Sequence, residues 1–131
     1  MPLKKVWWVL AGVLVGVGGL VLWGIADPVG PSVESGITYF YGDGCPHCKT
    51  VQEYLDREHI AEKVLFQKKE VWKNRTNARA MERAAKICGV QQEGMGVPFV
   101  FDAEAQKCYV GEPDAIGFFE EKAKMGAAET K

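Results

Sequence analysis

The longest apolar run of the chain lies near its start. Residues 6–26 contain no charged side chain, and a helix of this length crosses a bilayer core of roughly 30 Å. Trp7 and Trp23 stand near its two ends, where aromatic side chains gather at membrane interfaces, and Lys4 and Lys5 precede it. The pattern predicts a single-pass anchor, with a short cytoplasmic N-terminus and the rest of the chain on the extracytoplasmic side, periplasmic or extracellular.

A cleaved signal peptide is the alternative interpretation of this segment. The small residues at positions 24 and 26 fit a cleavage site. The apolar run, however, is longer than the roughly 7 to 15 residues usual in a secretory signal. Its length therefore favours an uncleaved anchor, followed by a linker that is rich in proline and glycine.

After the linker, strand-like apolar runs alternate with helical apolar periodicity. The strand candidates are residues 37–41, 64–66, 99–101 and 108–110. The helix candidates are residues 46–59, a segment capped by Asn74 or Thr76 and ended by Gly89, and a segment that begins at Pro113. The order β-α-β-α-β-β-α predicts an α/β fold, a four-stranded mixed sheet flanked by helices, with the first strand in its interior.

These patterns divide the chain into five parts. They are a cytoplasmic N-terminus at 1–5, a transmembrane anchor at 6–26, a linker at 27–36, the α/β domain at 37–125 and a flexible tail at 126–131.

Cys45 and Cys48 form a Cys-x-x-Cys between the first strand and the first helix. The unpaired N–H groups and positive dipole of a helix N-terminus hold a cysteine there partly as the reactive thiolate. Pro46 suits the first helical turn, where its missing N–H costs nothing. Cys48 lies one turn along, close enough to form a disulfide with Cys45. We therefore expect Cys45 to attack a substrate sulfur and Cys48 to resolve the mixed disulfide.

A structural disulfide or a metal site is the alternative interpretation of these cysteines. The chain has four cysteines, enough for a tetrahedral zinc site. Cys88 and Cys108, however, are too far apart in sequence to form a second Cys-x-x-Cys. A Cys-x-x-Cys beside a βαβ pattern is typical of redox chemistry, so the sequence predicts neither a metal nor a cofactor.

Cys88 and Cys108 can also pair with each other. Cys88 falls on the apolar stripe of the second predicted helix, and Cys108 lies in the last predicted strand. As free thiols they would be small buried hydrophobes. As a disulfide they would close a loop of about 20 residues and stabilise the domain by roughly 3 kcal/mol. An even cysteine count and an oxidising compartment favour the bridge.

Together with two further motifs, the Cys-x-x-Cys resembles the thioredoxin-like superfamily in its glutaredoxin-sized form. The motifs are Val97-Pro98 before the third strand and Gly111-Glu112-Pro113-Asp114 at the last helix, and the resemblance covers residues 36–124. It implies that Pro98 is cis beside the sulfurs and that Val97 offers its backbone to an extended substrate. The last motif matches a glutathione-binding pattern only in part, and a helix-capping role for its acidic residues is preferred.

The dipeptide between the cysteines, Pro46-His47, resembles that of DsbA-type periplasmic oxidases. An imidazole there can stabilise the Cys45 thiolate, which favours the dithiol and makes the disulfide a stronger oxidant. His47 as an exposed helix residue without this role is the alternative. Tyr39 occupies the position at which thioredoxins carry a buried acid, so a carboxylate relay is absent there.

Charge and location then restrict the function. The formal net charge is −1, which excludes a nucleic-acid surface. The sequence predicts a membrane-anchored thiol–disulfide oxidoreductase that oxidises protein thiols, with a membrane redox partner that resets it. A reductase or isomerase fed by a membrane electron donor, and a redox-silent binding module that only holds extended peptides, are the alternatives.

Overall fold

The computed structural model describes residues 35–129, so the predicted anchor, most of the linker and the last two residues lie outside it. The strands are β1 (Ile37–Tyr41), β2 (Phe66–Glu70), β3 (Phe99–Asp102) and β4 (Lys107–Val110). The helices are α1 (Pro46–Arg57), α2 (Ile60–Lys63), α3 (Arg75–Cys88) and α4 (Glu112–Glu129), and a 3-10 turn lies at Gln92–Gly94.

The four strands form one mixed sheet in the order β2-β1-β3-β4. β1 is parallel to β2 and antiparallel to β3, and β4 is antiparallel to β3. The predicted mixed four-stranded sheet and the interior position of β1 are therefore confirmed. The predicted element order is also found, with the short helix α2 as an addition between α1 and β2.

Apolar side chains on both faces of the sheet explain why β1 and β3 read as continuous apolar runs. Tyr39 and Val100 point to one face, whereas Phe40 and Phe99 point to the other, because successive strand residues alternate. On the first face the core is completed by α1, α2 and α4, with Val51, Leu55, Ile60, Val64, Ala115, Phe118 and Phe119. On the second face it is completed mainly by α3, with Val71, Met81, Ala84, Ala85 and Phe101.

Local capping signals set the ends of α3 where the sequence predicts them. The Asn74 side chain accepts hydrogen bonds from the backbone N–H groups of Thr76 and Asn77, each at 3.1 Å. Gly89 ends the helix in the left-handed conformation, with φ 71°. The first helix is shorter than predicted, because His59 adopts φ 52° and separates α1 from α2.

The second strand was predicted wrongly at residues 64–66. Val64 closes α2 and is buried in the core, and Leu65 is 94% exposed. The strand begins at Phe66, opposite Ile37, and continues through charged residues to Glu70. Because β2 lies at the edge of the sheet, polar side chains along it remain in solvent.

The last helix begins one residue before its predicted start and continues beyond its predicted end. Residues 126–129, which were predicted to belong to a flexible tail, are helical. Gly126 packs so closely against the Lys63 carbonyl that an added Cβ would lie 3.0 Å from that oxygen. This contact and the high helix propensity of the alanines that follow explain the extension. Among residues 35–129, no helix combines the length and the apolar character that a bilayer crossing needs.

Candidate active site

Cys45 is the N-cap residue of α1 and follows the C-terminal end of β1. Its backbone is extended, with φ −72° and ψ 118°, and Pro46 opens the helix as predicted. The Cys45 sulfur accepts a hydrogen bond from the backbone N–H of Cys48 at 3.2 Å. The Cys45 N–H in turn donates to the Gly42 carbonyl at 3.1 Å, and Gly44 supplies the left-handed φ of 85° that this tight turn needs. An N–H group aimed at sulfur favours the negative charge of a thiolate.

Cys48 lies in the first turn of α1, and the surroundings of its thiol differ from those of the Cys45 thiol. Both sulfurs are thiols in the structure, and both residues are buried. Burial, followed by the hydrogen bond with the Cys45 thiol, raises the pKa of the Cys48 thiol to about 11. The Tyr39 hydroxyl donates to the Cys48 carbonyl at 3.4 Å, and burial raises the pKa of this phenol as well. Cys48 is therefore protonated at neutral pH, which separates the roles that the two sulfurs can take.

The loop before β3 lies directly beside Cys45. The Val97–Pro98 peptide bond is cis, and the Val97 carbonyl oxygen is 3.9 Å from the Cys45 sulfur. Pro98 is buried, and its carbonyl accepts the Gly111 N–H at 2.8 Å, so the loop is held to the end of β4. The Cys-x-x-Cys and the Val97-Pro98 motif, two of the three motifs that carry the family resemblance, thus meet in space.

His47 contacts the carboxylate of Glu112, for which a helix-capping role was preferred from the sequence over part of a glutathione-binding pattern. The Nδ1 atom of the His47 ring lies 2.8 Å from Oε2 of Glu112, and the side chain is 73% exposed. Glu112 also lies in the first turn of α4, where its negative charge suits the helix dipole. The pairing was missed because the two residues are 65 positions apart. Its only signal is topological, since α1 and α4 both begin at this end of the sheet.

A cavity of about 450 Å³ opens on the β2 side of the two cysteines. Lys68 lines it, and the Lys68 ammonium group lies 5.1 Å from the centre of the Tyr41 ring and contacts the Gln52 side-chain oxygen. The cavity gives solvent a route towards Cys48 that does not pass the Val97 loop. Its lining consists of Tyr39, Tyr41, Gly42, Asp43, Gly44, Cys45, Pro46, Cys48, Lys49, Gln52 and Lys68.

The end of β2 at Glu70 and the loop that follows it, residues 71–74, contact the turn that precedes Cys45. The Glu70 carboxylate accepts the Asp43 N–H at 3.2 Å, and Lys73 forms an ion pair with the Asp43 side chain. Trp72, which is 58% exposed, lies against Gly42. These residues were not predicted from the sequence, because nothing in the spacing of Glu70 and Asp43 indicates that parallel strands end side by side.

Cys88 and Cys108 form a disulfide with each other rather than joining the Cys45 site. The bond links the end of α3 to β4, with the Cα atoms 5.9 Å apart. It is the pairing that the sequence analysis favoured over two free thiols. Among the residues that the structure describes, no three His, Cys, Asp or Glu side chains are grouped to hold a metal ion.

Sequence comparisons identify no relatives for this chain: no protein-family model matches it, and no curated protein gives a significant match. Among solved structures, it is similar to the crystal structure of oxidized glutaredoxin 2 from Chlamydomonas reinhardtii. That similarity covers 71% of this chain and 83% of the glutaredoxin chain, at 20% sequence identity and a TM-score of 0.47. The fold described above is a mixed four-stranded sheet in the order β2-β1-β3-β4 with flanking helices.

Proposed function

We propose that this protein is a thiol–disulfide oxidoreductase that exchanges disulfides with protein substrates through Cys45 and Cys48. One observation carries the proposal. The Cys45 sulfur lies at the start of α1, accepts the Cys48 N–H at 3.2 Å and faces the carbonyl of the cis Val97–Pro98 bond. This arrangement supplies an N–H donor for a thiolate and, beside it, backbone to which an extended polypeptide can bind.

In the oxidising direction, a substrate thiolate attacks the Cys45 sulfur of the Cys45–Cys48 disulfide. The sulfur–sulfur bond breaks, a mixed disulfide forms, and the displaced Cys48 sulfur takes up a proton, consistent with its raised pKa of about 11. A second substrate thiolate then attacks the substrate sulfur of the mixed disulfide and releases the Cys45 thiolate. The substrate loses two electrons and becomes a disulfide, and the Cys45–Cys48 pair gains them and becomes a dithiol.

The proposed direction is oxidation, outside the cytoplasm, on a membrane anchor formed by residues 6–26. The apolar run and its basic flank support the anchor and the orientation. Extracytoplasmic compartments are oxidising, and a Cys88–Cys108 disulfide persists under such conditions. Each turnover leaves Cys45 and Cys48 as thiols, so the proposal needs a partner that reoxidises them, which we expect to be a membrane redox protein.

Single serine substitutions of the two cysteines test the exchange itself. We expect Cys45→Ser to reduce insulin reduction and thiol oxidation to the background rate, because it removes the sulfur that attacks an insulin disulfide and that a substrate thiolate attacks in the oxidising direction. Cys48→Ser should instead accumulate mixed disulfides, visible on non-reducing gels, since the resolving sulfur is gone. Full activity in both variants would show that Cys45 and Cys48 do not carry the exchange, and an inactive parent chain would favour a redox-silent binding module.

The reduction potential of the Cys45–Cys48 pair tests the direction. We expect equilibration with glutathione buffers to give a value above about −180 mV, on the oxidising side of protein disulfide isomerase. A value near about −270 mV, as in thioredoxin, would instead support a reductase fed by an electron donor.

A further inference from the structure

The carboxylate of Glu70, at the end of β2, gathers four backbone N–H groups from two loops. Oε1 accepts the N–H of Asp43 at 3.2 Å and that of Trp72 at 2.8 Å. Oε2 accepts the N–H of Lys73 at 2.8 Å and that of Asn74 at 3.1 Å. Three of these donors belong to the loop that follows β2, whereas Asp43 belongs to the turn before Cys45.

Two further contacts hold the same pair of loops together. The Lys73 ammonium group forms an ion pair with the Asp43 carboxylate. The Trp72 indole covers Gly42 so closely that a Cβ at that position would overlap its ring. Because the Gly42 carbonyl accepts the Cys45 N–H, the turn that these contacts hold in place is hydrogen-bonded directly to the backbone of the reactive cysteine.

We propose that Glu70 is a positioning residue for the redox site: by binding the Asp43 N–H together with the 72–74 loop, its carboxylate fixes the turn that orients Cys45. The proposal deepens the disulfide exchange proposed above and rests on it. Glu70 does not touch the sulfurs itself. It acts by keeping Cys45 at the helix N-cap, where the Cys48 N–H and the helix dipole stabilise the thiolate.

A carboxylate suits this position better than a neutral group of the same shape. Each of its oxygens accepts two N–H groups, whereas a glutamine would direct its own NH₂ group at two of the same donors. The charge is favoured in place: burial alone would raise the pKa of Glu70, but the four N–H donors together lower it. Glu70→Gln therefore changes few atoms and removes about half of the hydrogen bonds that the Glu70 side chain accepts from the two loops.

The experiment uses the full chain, reduced, with Glu70→Gln as the test variant and Glu53→Gln as the matched control. Glu53 is an exposed carboxylate on α1 that pairs only weakly with Lys49, at 3.9 Å. The rate of Cys45 alkylation by iodoacetamide is followed by mass spectrometry over a range of pH. We expect Glu70→Gln to lower the rate at neutral pH about two- to fivefold and to shift the pH–rate profile towards higher pH. Glu53→Gln should match the parent chain.

A Glu70→Gln profile that superimposes on the parent profile would overturn the proposal, as would an equal shift in the Glu53→Gln control. If Glu70→Gln does not fold, NMR of the parent chain decides. The amide signals of Asp43, Trp72, Lys73 and Asn74 must then titrate together, at one pH below the ordinary glutamate range. Independent titration, or none, overturns the proposal.

The parent chain separates this proposal from the function on which it rests. If the parent shows no exchange and its Cys45 reacts no faster than a free thiol, the proposed function fails and this inference with it. If the parent is active and Glu70→Gln is equally reactive, only the positioning role fails.

Discussion

Two cysteine pairs of one small domain differ in almost every physical respect. Cys88 and Cys108 are 20 residues apart in sequence, and their disulfide ties a helix end to a strand beside the α3 face of the core. Cys45 and Cys48 are three residues apart, lie at the start of a helix and are both thiols. The structure around the sulfurs therefore distinguishes a cysteine pair suited to disulfide exchange from a pair suited to stabilising the fold.

The difference lies in the backbone around the sulfurs. The Cys45 sulfur receives an N–H and lies 3.9 Å from a backbone carbonyl, beside an open cavity. Cys88 and Cys108 are partly buried and pack against the α3 face of the core, where their disulfide restricts the unfolded chain. The two thiols of the Cys45–Cys48 pair are not equivalent, since the raised pKa of Cys48 keeps that thiol protonated. This inequality can be measured.

The largest expected effect is the pH dependence of the step in which Cys48 resolves a mixed disulfide. Burial, the largest cause of the raised Cys48 pKa, persists in the mixed disulfide, so only a small fraction of Cys48 is a thiolate at pH 7. Below that pKa the thiolate fraction grows with pH. We expect the resolution rate to rise about tenfold per pH unit from pH 7 towards pH 11.

The reaction of the reduced chain with Ellman's reagent measures this rate. Attack by Cys45 releases a first coloured thiolate, and attack by Cys48 releases a second one. The Cys48→Ser variant is the control and should lack the second release at every pH. A second phase that does not change between pH 7 and pH 9 would contradict the buried, protonated state of Cys48.

The second effect concerns stability and the other cysteine pair. Replacing Cys88 and Cys108 together by alanine opens a loop of about 20 residues, and we expect urea unfolding to show a loss of roughly 3 kcal/mol. Disulfide exchange should remain, because neither residue takes part in it. Loss of exchange in a variant that is still folded would show that the two pairs are coupled and that the contrast between them is wrong.

Counting free thiols checks the bond directly. The fully oxidised chain, unfolded in denaturant, should contain none. Two thiols mapped to positions 88 and 108 would leave Cys45 and Cys48 as the only redox pair.

The parts of this structure that the sequence predicted are those set by local signals. Helix α3 was predicted at both ends because Asn74 and Gly89 cap it within a few residues. The second strand was placed wrongly because residues 64–66 carry the apolar signal, whereas the strand follows the register of β1 through charged residues. A strand at the edge of a sheet needs few apolar side chains, so its pattern is weak.

The same distinction applies to the site. The Cys-x-x-Cys and the Val97–Pro98 motif are short and readable from the sequence, and the structure brings them within 3.9 Å. Glu70 and Glu112 reach the site only through the arrangement of the sheet, across 27 and 65 residues of sequence. No periodicity or spacing encodes such contacts, because they depend on which strands end side by side.

The third expected effect comes from a substitution that disturbs the turn before Cys45 and leaves both cysteine pairs intact. In Gly42→Ala the new Cβ would overlap the Trp72 ring, so the indole must move. We expect a loss of about 1–3 kcal/mol in the free energy of unfolding. Gly94→Ala is the matched control, because no atom lies within 4 Å of the added Cβ there. The double variant Gly42→Ala/Trp72→Ala should recover part of the loss. If Gly42→Ala is as stable as the control, Trp72 does not pack on this turn.

The smallest expected effect concerns His47 and Glu112, which the structure places in contact on the exposed side of the site. Exposed ion pairs contribute little to stability, so we expect a change in the reduction potential rather than in unfolding. A cationic imidazole near Cys45 favours its thiolate and hence the dithiol, whereas the Glu112 carboxylate opposes it. His47→Ala should therefore lower the potential, and Glu112→Gln should raise it, each by about 10–20 mV. His47→Gln, which keeps a polar side chain that cannot become a cation, should behave as His47→Ala does. Equilibration with glutathione buffers measures all three variants, and shifts of one sign in both the His47 and the Glu112 variants would show that charge is not what tunes the pair.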